Sequence, residues 1–207
     1  MFENFFSYFN KQINKSFNGH DEVLQRIGQH ANGFVEMFSV YEGESFGDGL
    51  YRLHEISEFS YWNDMIGRAY PEYRNKIHCF GYDWLGRHFA LDQGRINENM
   101  YEVLMFEPGT GEVLEIPCNF LDFHNEEIVK YHDACLASQF FAEWQEKKPA
   151  SLSPIECVGY KVPLFLDGED MLENLEVSNM DVYWEFIIEV LAKVRDLPEG
   201  TKVYFGS

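Results

Sequence analysis

The sequence predicts an α+β protein: a mainly antiparallel meander sheet with flanking helices, plus a smaller C-terminal strand-helix unit docked on it. Three observations carry that expectation. Short apolar runs between residues 77 and 116 are joined by turn sequences too brief for a parallel crossover. On either side of those runs, apolar residues recur at steps of three and four, the period of a helix face. A Pro-Ala-Ser-Leu-Ser-Pro stretch, Pro149 to Pro154, then sets off a last unit of about 50 residues, which buries little core alone and has to pack on the rest.

Taken in order, Phe2, Phe5, Phe6, Phe9 and Ile13 mark one face of an N-terminal amphipathic helix. Val23, Leu24 and Ile27 form the stripe of a short helix over Asp21 to His30. Gly43, Gly47 and Gly49 punctuate a turn-rich stretch ahead of a strand at Leu50 to Leu53. Phe59, Trp62, Met65 and Ile66 predict a helix stopped by Pro71. Ile77 to Tyr82 and Arg87 to Leu91 flank Asp83-Trp84-Leu85-Gly86 as a hairpin. Tyr101 to Phe106 and Glu112 to Ile116 flank a second turn whose proline and glycines, Pro108, Gly109 and Gly111, suit it to a reversal. A long helix is expected from about Glu126 to Trp144. Ile128, Tyr131, Cys135, Leu136, Phe140 and Trp144 make its apolar side, and Lys147 and Lys148 complement its dipole. Past the linker, Lys161 to Leu166 reads as a strand. Ser178 with Asp181 reads as a helix-starting box ahead of an apolar face of Val182, Phe186, Ile187, Val190, Leu191 and Val194.

Charge is the most informative bulk property. Sixteen Lys and Arg against 35 Asp and Glu give a net charge of −19. The stretch Glu98 to Val129 holds eight carboxylates and no Lys or Arg, and Asp167 to Glu189 repeats that count. Such a surface repels nucleic acid and anionic membranes, so neither is an expected partner, and it attracts basic proteins. No apolar run approaches the ~20 residues that span a bilayer, and the Phe-rich start carries no cleavage-site pattern, so cytoplasmic residence is the expectation.

Residue patterns for chemistry are sparse. The cysteines at 79, 118, 135 and 157 form no Cys-x-x-Cys pair, which argues for buried free thiols over disulfides or zinc. Gly47-Asp48-Gly49 and Gly109-Thr110-Gly111 lack the continuation of a phosphate loop. His124 and His132 stand about 12 Å apart along the expected helix and cannot share an ion by themselves. Cys79 beside His88 across the first hairpin is an example of a nucleophile-base pairing that adjacent strands bring together by accident more often than for catalysis, and a pocket gathering His78, His88 and carboxylates would promote an enzymatic or small-molecule-binding reading. No catalytic, cofactor or metal residues are assigned.

Three stretches carry a family resemblance. Phe80-Gly81-Tyr82-Asp83-Trp84-Leu85-Gly86-Arg87-His88-Phe89-Ala90-Leu91-Asp92 resembles a segment of the GAD-like domain of bacterial immunity-type proteins, and Phe106-Glu107-Pro108-Gly109-Thr110-Gly111-Glu112 resembles the hairpin that follows there. Glu156-Cys157-Val158-Gly159-Tyr160-Lys161-Val162-Pro163-Leu164-Phe165-Leu166, continuing through Gly168-Glu169 and Glu173-Asn174-Leu175, resembles the C-terminal domain of type VI secretion immunity proteins, a group with a member that neutralises a DNase toxin. Asp167 stands where that pattern has glycine. The resemblance covers most of the chain from about residue 47 onward, not the first 45 residues, and the domains expected with it are a GAD-like α+β domain over residues 1–148 and a type VI immunity-like domain over 149–207. It also implies a non-enzymatic function, binding and occluding a cognate toxin. A nuclease must hold phosphate with cations, so carboxylates that imitate the polyanion suit its inhibitor. The acidic turn Asp167, Glu169, Asp170 and Glu173 is the expected partner-facing patch, with Trp84 and Tyr160 as candidate anchors. An adaptor that recruits a basic housekeeping protein is the alternative.

Overall fold

The computed structural model describes residues 1–11, 21–148, 151–195 and 197. Ile13 of the expected N-terminal stripe and Pro149 of the expected linker lie outside them. The core is a six-stranded antiparallel sheet in sequence order: β1 (Ser45–Phe46), β2 (Tyr51–Leu53), β3 (Ile77–Asp83), β4 (His88–Asn97), β5 (Met100–Glu107) and β6 (Glu112–Asn119). This is the meander expected over residues 77 to 116, lengthened at its first edge by β2, where the Leu50 to Leu53 strand is expected, and by β1.

Both faces of the sheet are covered. Alternation along β4 and β5 sends Phe89, Leu91, Val103 and Met105 into one hydrophobic cluster and Ala90, Leu104 and Phe106 into the other. On the first face lie α1 (Glu3–Tyr8), α2 (Glu22–Gly28) and α3 (Phe34–Tyr41), which contribute Phe5, Phe6, Leu24, Ile27, Phe34 and Phe38. The Asp21 carboxylate caps α2 by accepting from the amides of Val23 and Leu24. On the second face, α4 (Phe59–Ala69) supplies Trp62, Met65 and Ile66, ending ahead of Pro71 as expected.

The segment after β6 departs from the expected single helix. It runs as α5 (Phe120–Asp122), a π turn (Phe123–Glu127), α6 (Ile128–Lys130), α7 (His132–Leu136) and α8 (Ser138–Lys147). The chain breaks at Tyr131 and again at Ala137, whose φ of 47° is left-handed. Side chains compete for the backbone here: the Asp133 carboxylate accepts from the Gln139 amide and the Ser138 hydroxyl. The breaks also rotate the apolar face, so that Tyr131 is exposed and Phe141, rather than Phe140, is buried with Trp144.

In the C-terminal unit, β7 (Glu156–Tyr160) pairs antiparallel with β8 (Leu175–Asn179), and α9 (Met180–Val194) follows. The strand therefore precedes the expected Lys161 to Leu166, which instead holds a 3-10 turn at Leu164–Leu166. The Leu164 and Phe165 amides donate out of the unit, to the Gly109 carbonyl, which removes them from any ladder. Helix α9 is capped not by Ser178, which stays in β8 opposite Cys157, but by Asn179, whose side chain accepts from the Val182 amide at 3.2 Å. The unit docks without a core of its own. Cys157, Tyr183, Trp184 and Ile187 share the second cluster with Tyr82 and Phe106, while Val158 and Leu175 join the first. Within the unit, Gly159 lets β7 and α9 pack closely, since a β-carbon there would lie 2.7 Å from the Tyr183 ring.

Candidate functional site: an acidic cleft over a buried ion network

The turn Asp83–Arg87 joins β3 to β4, and every residue of it is buried. A buried turn has to find partners for its polar groups. Asp83 settles its own turn by accepting from the Leu85 and Arg87 amides, each at 3.0 Å. The Val158 amide donates to the Trp84 carbonyl at 2.7 Å, and the Trp184 indole donates to the Gly86 carbonyl at 2.9 Å, which ties in the C-terminal unit. The Trp84 indole donates to the Leu136 carbonyl at 3.0 Å, and Arg87 Nη2 donates to the Cys135 carbonyl at 3.1 Å. The helix break at Ala137 leaves those carbonyls at a helix end, where they have no intrahelical partner.

Arg87 is the cation of the network. Its Nε donates to Asp83 Oδ2 at 2.6 Å, its Nη2 lies 2.5 Å from the same oxygen, and Glu107 Oε2 lies 3.5 Å from Nε. Burial pulls the guanidinium downward, but the two carboxylates outweigh it and hold its pKa above the usual value. Burial raises Asp83, with Arg87 opposing. It also pushes Glu107 up to about 7, against the pull of Arg87 and the hydrogen bond that Glu107 accepts from the Gly109 amide.

Arg87 and Glu107 form the floor of a cleft of about 430 Å³, walled by Asp133, Phe140 and Glu143 on one side and Tyr160, Leu164 and Asp170 on the other. Gly109 is required at its edge, because a β-carbon there would sit 2.7 Å from the Tyr160 ring. The rim carboxylates Asp133, Glu143 and Asp170 are exposed, whereas Arg87, the one basic side chain among the described lining residues, is neutralised from beneath. Electrostatically the cleft offers carboxylates to a cation and little to an anion. All three stretches that carry the family resemblance meet here, through Asp83 and Arg87, through Glu107 and Gly109, and through Tyr160, Leu164 and Asp170.

The expected partner residues divide. Asp170 lines the cleft and accepts from the Tyr160 hydroxyl at 2.6 Å. Asp167, Glu169 and Glu173 are exposed on the neighbouring loop around a recess of about 410 Å³, with Glu173 drawn toward Lys147 at 3.4 Å. Asn174 shapes that loop by bonding the Val162 amide and the Val162 and Glu169 carbonyls. Asp167 adopts φ 63°, the conformation expected of the glycine it replaces and one that Asp tolerates better than most residues.

Trp84 is not available to a partner: it is fully buried against Phe140, Phe141 and Trp144. Tyr160 is 7% exposed and serves the cleft by positioning Asp170. The two acidic stretches do not merge into one patch. From the first, only Glu107 reaches the cleft, while Glu98, Glu102 and Asp122 line a separate recess. Sequence reasoning missed Arg87, Asp133 and Glu143. The i,i+4 spacing of Asp83 and Arg87 across the turn was the available signal for the first; the others were hidden by reading one continuous helix.

Cys79 and His88, considered as a chance pairing across the hairpin, are not cross-strand partners: Cys79 faces Ala90 and His88 faces Tyr82 in the ladder. His78 lies opposite Leu91, far along the hairpin from His88. Among the described residues no group of three or more His, Cys, Asp or Glu could hold a metal ion, and no helix is long and apolar enough to cross a membrane.

No family model and no curated protein matches this chain. Among solved structures, Atu4351 from Agrobacterium tumefaciens is similar, with a TM-score of 0.63 over 91% of this chain and 89% of that one, at 12% identity. The likeness is one of fold.

Proposed function

We propose that this chain is an immunity-type protein that binds a basic bacterial toxin, a DNase being the favoured class, and occludes it through the acidic cleft. The single observation that carries the reading is the cleft's charge arrangement: three exposed carboxylates above a cation already spent on Asp83 and Glu107. A cationic side chain entering there meets exposed carboxylates, and nucleic acid meets repulsion. Opposite charge across an interface speeds encounter, to ~10⁸–10⁹ M⁻¹s⁻¹ against ~10⁵–10⁶ for neutral partners. Fast capture suits an inhibitor of an enzyme that damages DNA on arrival. The convergence of the three resembling stretches on this cleft supports the same reading.

The test is co-expression with the toxin candidate encoded beside this chain. Growth should be rescued by the natural chain and lost with Glu143→Lys and Asp170→Asn combined, provided that variant unfolds at the natural temperature. Undiminished killing in the presence of the natural chain would reject the function; rescue by the variant would reject the cleft.

A further inference from the structure

Two imidazoles lie within the core on the sheet's second face. His54, just past β2, and His88, which opens β4, are fully buried, with ring centroids 5.1 Å apart and planes at 22°. Aromatic rings close round them. Trp62 of α4 stands 5.5 Å from His54 and 4.4 Å from His88, Tyr82 of β3 stands 4.8 and 5.8 Å from them, and Trp184 of α9 lies 5.4 Å from His88.

His88 Nδ1 lies 3.1 Å from the Gly86 carbonyl, which can only accept, so Nδ1 carries the proton; the Trp184 indole donates to the same oxygen. His88 Nε2 and both nitrogens of His54 are buried without a hydrogen bond. Buried polar atoms are nearly always paired, so three orphans in one cage call for a reason.

The surroundings offer a proton little. Glu58, exposed on the turn after His54, holds its carboxylate 3.7 Å from His54 Nδ1, beyond hydrogen-bonding reach, and burial outweighs it in holding His54 down. Burial, then the charge of His54, hold His88 well below the ordinary imidazole value. From β3, Tyr82 gives its hydroxyl proton to the Pro154 carbonyl, and Asp83 is bonded to Arg87. Arg52 lies over the Tyr82 ring, bonded to the Leu152 and Glu156 carbonyls. The Cys79 and Cys157 thiols of the same cluster are held neutral by burial. The helices α4 and α9 turn tryptophans toward the pair. A charged ring is therefore costly in the closed cage and cheap once water reaches it. Helix α9 is the cover that goes first: its unit has no core of its own and scattered hydrogen bonds to the sheet, whereas β3, β4 and β5 share continuous ladders.

We propose that the His54–His88 stack is an acid-operated release for the C-terminal unit: charging it detaches α9 from the second face while the ladder of β3, β4 and β5 stays closed. Tyr160 and Asp170 belong to that unit, so release also removes one wall of the cleft. The device belongs to the fold and needs no partner.

Amide hydrogen exchange on the full chain, corrected for the intrinsic effect of pH, tests it. Below the ordinary imidazole value of about 6.5, the opening equilibrium of α9 should rise about tenfold per pH unit for each ring that charges on release, about a hundredfold for two, while β4 and β5 keep their protection. His54→Phe keeps an aromatic ring and removes only unbonded nitrogens, and should reduce the dependence of α9 by about tenfold per pH unit. Protection of α9 that is indifferent to pH, or that falls only in step with β4 and β5, overturns the release, as does a folded His54→Phe chain with the natural dependence. Should that variant not fold, the comparison of α9 with β4 and β5 in the natural chain decides alone.

Discussion

Replacing Arg87 with methionine tests the buried network most sharply. Methionine keeps much of the aliphatic volume but removes the cation that lies between two buried carboxylates and leaves the Cys135 carbonyl without that donor. Breaking a buried ion pair from one side costs about 3–5 kcal/mol, because the remaining charge is neither solvated nor paired. In a chain of this size that is a fall of roughly 6–20 °C in melting temperature, at about 2–4 °C per kcal/mol. The loss should depend on pH. Arg87 is what opposes the rise of Glu107, so without it burial and Asp83 push the Glu107 carboxyl further up, and the proton it takes up toward acid pH relieves part of the repulsion. Urea unfolding of both proteins on either side of neutrality measures it, with the larger loss expected on the alkaline side. A cost below about 1 kcal/mol in alkaline buffer would refute the network as a stabilising element, since even a neutral hydrogen bond lost in the interior costs that much.

Further expectations concern titration and packing. Glu107→Gln isolates one pH effect: a carboxyl raised in the folded state stabilises below its unfolded value of 4.5 and loses that contribution as pH rises through about 7, so the natural chain should shed about 3 kcal/mol that the variant does not. The histidines act oppositely. His54, His88 and His124 are fully buried and held below the usual 6.5, chiefly by burial, so their contribution is intact above 6.5 and lost as pH falls below it. At up to ~1.4 kcal/mol per pH unit each, three histidines outweigh one glutamate, and net stability should decline from pH 6.5 toward pH 4.5; a flat profile would contradict their burial as neutral rings. Tyr51→Phe removes the hydroxyl 2.8 Å from His124 Nε2 and should cost about 1–3 kcal/mol in urea unfolding, with no change if the ring finds another donor.

Much of the fold was legible because local signals agreed with tertiary demands. The Asp83–Gly86 and Glu107–Gly111 turns and Pro71 act within a few residues, and the structure follows them. The reading failed where side chains override periodicity. Asp133 and Ser138 break a helix whose apolar spacing looked continuous, and that break frees carbonyls for Trp84 and Arg87. The 164–166 turn escaped because its first two amides are satisfied by the Gly109 carbonyl, more than fifty residues away. At the cleft, Asp170 was anticipated on charge alone. Arg87 and Glu107 were not, because their importance comes from burial and from each other. Val182 and Phe186 were misplaced by one step around α9, since Trp184 and Tyr183 are larger and fill the core instead.

The most direct measurement is the association rate of a candidate basic toxin with the natural chain and with a Glu143→Gln, Asp170→Asn variant, followed across salt from about 50 mM to about 200 mM. Capture by rim carboxylates predicts a rate for the natural chain that falls steeply with salt, and a variant that is slower at low salt and nearly indifferent to it. Identical rates and identical salt dependence for the two proteins would mean that the cleft does not meet the partner.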